Sequence, residues 1–405
     1  MAKVIVFGSL NMDLSVVCGR MPREGETVMG SGFFTNAGGK GGNQAVAAVR
    51  AGVETHMIAR VGADEFGRRL TDGLEWYGVR CDAVCRAEGY PTGTAVIIRC
   101  EGENRIIVDP GANLALGPDE AIADFDAIAE EGDILLTQLE CSLETTGALL
   151  AHAHARGVRT VLNAAPAFEL PEALYRDLDI LCVNETECER LSGVYPADRW
   201  RQRDALGFFE RCGVADTIIT LGRRGSVTMG EGEDAPHLVE AFRVDAVDTT
   251  GAGDAYLGML AAELVRGEGL TSAMEVATAA SALAVGKPGA QRAMPTLDEV
   301  EEFLRSRRER VRAEARGGPA WARMRCRRGG RSAPGGRAAP GRATGPGGAP
   351  PPRPDGAAVP GSTTSRGSAR SRPCPSSSCT RSSPRSRTPR PPSTTSSPAR
   401  WARPS

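Results

Sequence analysis

Residues 249–258 read TTGAGDAYLG: Gly251, Ala252 and Gly253 stand directly ahead of a carboxylate, Asp254, and a helix-compatible stretch follows. A helix N-terminus presents free N–H groups and a partial positive charge. The small residues 251–253 would let those N–H groups converge on an anion. A carboxylate beside a bound phosphate is unfavourable unless it has a task. Accepting the proton of a hydroxyl that attacks phosphorus is such a task. Taken alone, the motif fits a plain helix cap by Asp254 nearly as well.

Four further stretches carry residue types that could join it. In GSLNMDLSV (8–16), Asn11 and Asp13 follow a strand end two residues apart, so in extended chain both side chains share a face. An amide plus a carboxylate suits gripping vicinal hydroxyls, and an Asx turn is the competing reading. In NAGGKGGNQA (36–45), Gly39, Gly41 and Gly42 surround Lys40 ahead of Asn43. Such glycines let a ligand approach the backbone, or simply make a flexible turn. It is not a P-loop, since Lys40 precedes Gly41 where a Ser or Thr would be needed for magnesium. In VNETECERL (183–191), Asn184 and Glu187 could order water around magnesium or cap a helix. In TLGRRGS (220–226), a strand leads into a glycine-bounded turn that could accept a nucleotide. His152 and His154 lie at i and i+2, which point apart on a helix, so they do not make a metal pair.

The elements that must position these residues alternate. Apolar strand-like runs at 4–8, 56–61, 133–139, 159–165, 179–184 and 216–222 each lead to a helix-compatible stretch. Continuous apolar strands alternating with helices argue for a parallel sheet covered on both faces, an α/β fold. In open sheets of this kind ligands bind at the carboxyl ends of strands, where Asn11, Asn184 and the 220–225 turn fall. TGTAVIIRC (92–100) and NRIIVDPG (104–111) read as a hairpin. Helices at 253–266, 271–285 and 297–312 close the domain.

The formal charge of −1 over 405 residues averages two unlike parts. The segment 316–405 holds 18 Arg, no Lys and one acidic residue, Asp355, a net +17; residues 1–315 therefore carry −18. An acidic domain is a poor nucleic-acid binder. From about 313 the chain is nearly all Arg, Pro, Ser, Gly, Ala and Thr and cannot offset its conformational entropy by burial, so 313–405 is expected to be disordered. Such a tail could bind nucleic acid by itself, but its composition is what out-of-frame translation of a G+C-rich gene yields, and that is the reading preferred. The 11 cysteines are scattered and odd in number, as in a cytoplasmic protein with reduced thiols. No apolar run is long enough to span a membrane.

In order and spacing, GSLNMDL, PREGETVMG, GGKGGNQAVAA, NETECERL, TLGRRGS and DTTGAGDAYLG resemble the PfkB family of carbohydrate kinases over residues 3 to about 308. QLE (138–140), LNAAPA (162–167) and GAQ (289–291) favour its ribokinase branch. The resemblance implies a three-layer α/β/α sandwich with a small β-sheet lid from about 14–36 and 92–110, and homodimers that pair through the lid. It implies transfer of a phosphoryl group from ATP to the 5-hydroxyl of ribose, with another furanose such as deoxyribose or a nucleoside as the alternative, and a non-catalytic sugar-responsive protein as a remoter one. By motif, Asp254 would be the base and Gly251, Ala252 and Gly253 the anion hole. Asn11, Asp13, Gly39, Lys40, Gly41, Gly42, Asn43 and Glu140 would hold the sugar. Asn184, Thr220, Leu221, Gly222, Arg223, Arg224, Gly225, Gly253 and Thr278 would hold ATP. Glu187 would organise Mg2+ through water, and Asp248, Thr250, Ala284, Lys287 and Gly289 would form a K+ site. Gly42 stands where the family motif has Ala, and Ala293 where ribokinases often have Ser near potassium, which weakens the expectation of K+ dependence.

Overall fold

The computed structural model describes residues 2–101, 103–230 and 232–317. The chain opens with β1 (Val4–Phe7), β2 (Asn11–Cys18), β3 (Gly30–Gly38) and α1 (Lys40–Arg50), then β4 (Thr55–Gly62), α2 (Glu65–Tyr77) and β5 (Arg80–Ala87). A hairpin, β6 (Gly93–Cys100) and β7 (Glu103–Asp109), leads to α3 (Pro118–Asp126), β8 (Ile134–Gln138) and α4 (Leu143–Ala155). Next come β9 (Arg159–Asn163), α5 (Glu172–Tyr175), β10 (Ile180–Asn184), α6 (Glu185–Ser192), α7 (Arg199–Cys212) and β11 (Asp216–Thr220). Two short strands, β12 (Ser226–Thr228) and β13 (His237–Val239), precede α8 (Ala252–Val265), α9 (Leu270–Ala284) and α10 (Leu297–Gly317).

The large sheet runs β13-β12-β11-β10-β9-β8-β1-β4-β5 and is parallel from β11 to β5, with β12 and β13 antiparallel at one edge. Each face is covered. Val4 and Val6 point into a cluster with α1, α8 and α9, while Ile5 and Phe7 point into one with α3, α4 and α7. That two-sided burial is why the strands read as unbroken apolar runs. A fully buried Leu, Ile or Val contributes about 1.5–3 kcal/mol, more than the ~1 kcal/mol of a helix cap, so the two cores rather than the caps decide the fold. A second sheet, ordered β3-β2-β6-β7, contains the expected hairpin and forms the lid.

Three boundaries differ from the sequence reading. α1 starts at Lys40, so the glycine-rich segment read as a site for close ligand approach or a flexible turn is a helical first turn rather than a loop. Its glycines are packing devices: a Cβ on Gly41 would lie 2.6 Å from the Gly8 carbonyl carbon. The lid strand β2 begins at Asn11, three residues before the boundary drawn at 14. Finally α10 continues through 313–317, past the expected domain end at 312. The rest of the tail, and its expected disorder, lie outside the described residues.

Candidate active site

α8 starts at Gly251, whose φ of 76° is a left-handed conformation that a side chain would strain. Asp254 follows in the first turn and is 7% exposed. A Cβ on Gly253 would meet nothing within 4 Å, so this turn faces open space, as an anion cradle requires. Two amides grip the carboxylate. Asn43 Nδ2 donates to one oxygen at 2.9 Å and Gln44 Nε2 to the other at 3.0 Å. An ionised carboxylate only accepts, so both amides must present nitrogen to it. Asn43 Oδ1 is thereby left buried with no partner, which costs about 1–3 kcal/mol until something donates to it. A substrate hydroxyl would.

α1 can bring these amides close because Gly39, with φ 86°, turns the chain against β1's end, where a Cβ would lie 2.7 Å from the Ser9 carbonyl oxygen. Glu140 reaches the same place: the Ser9 hydroxyl and, at 3.1 Å, the Lys40 backbone N–H donate to one of its oxygens. Burial works against the Lys40 ammonium, but the carboxylates of Asp254, Glu140 and Glu187 outweigh it and hold its pKa above the ordinary value. Burial, and then the Glu140 charge, push Asp13 up to about 7. Asn11 is 3% exposed and its Oδ1 accepts from Asn113 Nδ2 at 2.8 Å, while Asn113 Oδ1 accepts from the Leu10 N–H. Sequence reasoning missed Asn113 and Ser9. It also missed Gln44, the other donor to Asp254, although it adjoins Asn43.

On the nucleotide side the competing structural readings hold for several residues. Asn184 and Glu187 form a capping box at the start of α6, each side chain bonding the other's backbone N–H. Glu187 nevertheless shares its surroundings with Lys40, and burial, against the Asn184 N–H and the Lys40 charge, raises its pKa. Gly225 must lack a side chain to pack against its neighbour strand, since a Cβ there would lie 1.9 Å from the Val239 carbonyl oxygen. Leu221 is core. Arg224 is tied to Glu185 and to the Ala197 and Pro196 carbonyls. The Thr278 hydroxyl donates to the Met274 carbonyl within α9. Thr220, Gly222 and Arg223 remain at the carboxyl end of β11, and Arg223 is exposed.

The expected cation loop closes on Asp248, whose two oxygens accept from the Thr250 and Gly289 N–H groups at 2.9 and 3.0 Å. Burial opposes its charge, but these bonds, the Thr250 hydroxyl and Arg99 hold its pKa below the usual range. The Lys287 ammonium is paired with Glu299 at 2.9 Å. Ala293 is fully buried and offers no side-chain oxygen. Among the described residues no group of three or more His, Cys, Asp or Glu could hold a metal, and no helix is long and apolar enough to cross a membrane.

Known proteins resemble the chain over about three quarters of its length. The chain is 36% identical over 304 residues to the ribokinase of Bacillus subtilis, spanning 75% of this chain and 100% of that protein. It is 34% identical to the deoxyribokinase of Salmonella typhi, over 74% and 98% of the two chains. The structure of Arabidopsis thaliana ribokinase complexed with ribose and ATP superposes with a TM-score of 0.71 at 32% identity, covering 75% of this chain and 99% of that one. Residues 1–297 match the family described as pfkB family carbohydrate kinase, and with Asp254 seated at the glycine-rich start of α8 the chain belongs to that family of phosphotransferases.

Proposed function

We propose that this kinase transfers the γ-phosphoryl group of ATP to the 5-hydroxyl of ribose, in the cytoplasm, where ATP and reduced thiols are kept. The observation that carries the reading is Asp254, buried in the first turn of α8 and held by two amide donors in front of an open glycine turn. Asp254 takes the proton of the attacking hydroxyl, while the N–H groups of residues 251–253 stabilise charge on the transferring phosphoryl group. Little covalent chemistry is asked of the protein, so orientation and preorganised charge supply the rate.

Ribose hydroxyls fall to Asn11, Asp13, Gly39, Lys40, Asn43 and Glu140. The Asn43 Oδ1 supports this, because it is buried with no donor from the protein and a sugar hydroxyl can donate to it. ATP lies along 220–225 and Asn184. Glu187 would hold Mg2+ through water, and the ion would offset phosphate charge when bound. Asp248 and the carbonyls of Thr250, Ala284, Lys287 and Gly289 would hold K+. The lid pairs two copies of the chain: Met29, Phe33, Ile106 and Ile107, 57–90% exposed, give it an apolar face of the kind that marks an interaction site.

The test is ADP release by the full chain with ATP and Mg2+ over ribose, deoxyribose, fructose, adenosine and uridine, with and without K+. The highest kcat/KM on ribose is expected, and a rise with K+. A preference for deoxyribose would move the reading to the Salmonella-like activity and keep the mechanism. No turnover on any acceptor by protein that binds ATP would overturn it.

A further inference from the structure

QLE and LNAAPA each place a buried polar side chain at a strand end, Gln138 on β8 and Asn163 on β9, 0% and 8% exposed. Neither has a role in the chemistry above. Both converge on Gln44, itself fully buried. Gln44 Oε1 accepts from Gln138 Nε2 at 2.7 Å, and Gln44 Nε2 donates to Asn163 Oδ1 at 3.2 Å and to Asp254 Oδ1 at 3.0 Å. An unbroken run of hydrogen bonds thus leads from two strands of the sheet, through α1, to the carboxylate on α8.

Chemistry fixes the direction of each link. The Asp254 carboxylate accepts only, so Gln44 must face it with nitrogen. The Gln44 oxygen then faces Gln138, which must answer with its own nitrogen. That leaves Gln138 Oε1 buried without a partner, in a space kept free by Gly8, where a Cβ would lie 2.1 Å from that oxygen. An apolar side chain of the same size would avoid that penalty, so the retained amide argues for a task. The terminal torsion of an aspartate is broad and two-fold. Donors on both oxygens remove that freedom, and the Gln44 donor is itself fixed by Gln138 and Asn163.

We propose that Gln138 and Asn163 are positioning residues which, acting through Gln44, hold the Asp254 carboxylate at the angle needed to meet the attacking hydroxyl. This rests on the phosphoryl-transfer reading of Asp254.

Gln138→Glu replaces one NH2 by oxygen with almost no change of shape. A carboxylate cannot donate to Gln44, so the Gln44 amide turns over and presents oxygen to Asp254. We expect kcat to fall about 100-fold, as for an ~1 Å misplacement of a reacting group, with sugar KM within about threefold of wild type. Gln138→Met, which keeps the volume without the reversal, should lose about tenfold and serves if the Glu variant does not fold. In a Gln44→Met background, Gln138→Glu should cost less than about twofold more, because its effect passes through Gln44. Full multiplicative loss in that background, or unchanged kcat in both Gln138 variants, would overturn the proposal. If the wild type phosphorylates no acceptor, the phosphoryl-transfer reading fails separately. The Gln44 side-chain NH2 resonances in 1H–15N spectra then decide: they move in Gln138→Glu if the run of bonds exists, and unmoved resonances refute it.

Discussion

Gly258 lies in the middle of α8, where α8 crosses α1. A Cβ added there would sit 2.4 Å from Ala47 Cβ, 2.6 Å from the Gln44 carbonyl oxygen and 2.8 Å from the Ala48 nitrogen. Carbon atoms rest at roughly 3.5–4.0 Å, so Gly258→Ala must part the helices by about 1 Å. Overpacking of this kind costs about 1–3 kcal/mol. The alanine returns about 0.5–1 kcal/mol as the better helix former, so the net loss should be about 1–2 kcal/mol. The same shift acts on catalysis, because α1 carries the donors that hold Asp254 at 2.9 and 3.0 Å. Drawn back by about 1 Å, they leave hydrogen-bonding range, and kcat should fall by up to about 100-fold. Urea unfolding and initial rates of ADP release read the two effects. Gly73→Ala on α2 is the control: a Cβ there meets nothing within 4 Å, so it should gain about 0.5–1 kcal/mol and leave kcat alone. A Gly258→Ala variant with wild-type kcat would refute the claim that the α1–α8 distance sets the base.

Asp13 titrates at about 7 when folded and near 3.9 when unfolded. Between those values the folded chain holds a proton that the unfolded chain lacks, so stability should decline as pH rises from about 4 to 7. Urea midpoints should show that decline, and Asp13→Asn should flatten it; an equal slope in the variant would count against the assignment. Over the same range sugar KM should fall as pH rises through about 7, because the ionised carboxylate becomes a full acceptor for hydroxyls. Asp133 is fully buried and accepts from the Lys3 ammonium at 2.9 Å and from the Lys3 and Glu130 N–H groups. Asp133→Ala leaves the Lys3 ammonium with Glu130 alone, at 3.4 Å, and takes the acceptor from the two N–H groups; it should cost about 3 kcal/mol in urea unfolding, while any of the folded variant that survives should keep its sugar KM.

Much of this was legible from residue order alone, for physical reasons that differ by element. β1, β8, β9, β10 and β11 read clearly because burial on both faces demands unbroken apolar runs. β5 did not, because RCDAVCRA lies at the sheet edge and mixes exposed charge with small residues. α3 was hidden by its short length and its many acidic residues. The start of α1 was misplaced because glycines signal turns locally, whereas Gly41 is demanded by contact with Gly8, 33 residues earlier in the chain. Asp254, Asn43 and Glu140 could be named from motifs, and they meet in space through hydrogen bonds and shared charge. Asn113 and Gln44 could not, since a buried amide has no spacing signature and its role appears only when distant strands bring its partners together. Arg224, Leu221 and Thr278 were also named by motif position, and their side chains are engaged within the fold, to Glu185, in the core and to the Met274 carbonyl, engagements that motif position does not reveal.

The most direct test of the account is the turnover of Asp254→Asn with ATP, Mg2+ and saturating ribose, beside calorimetric binding of ribose to the same protein. Asn keeps the shape but cannot take a proton. The account predicts ribose affinity within a few-fold of wild type and kcat lower by about 10²–10⁴, the range general-base catalysis supplies. A variant that binds ribose and turns over near the wild-type rate would contradict it.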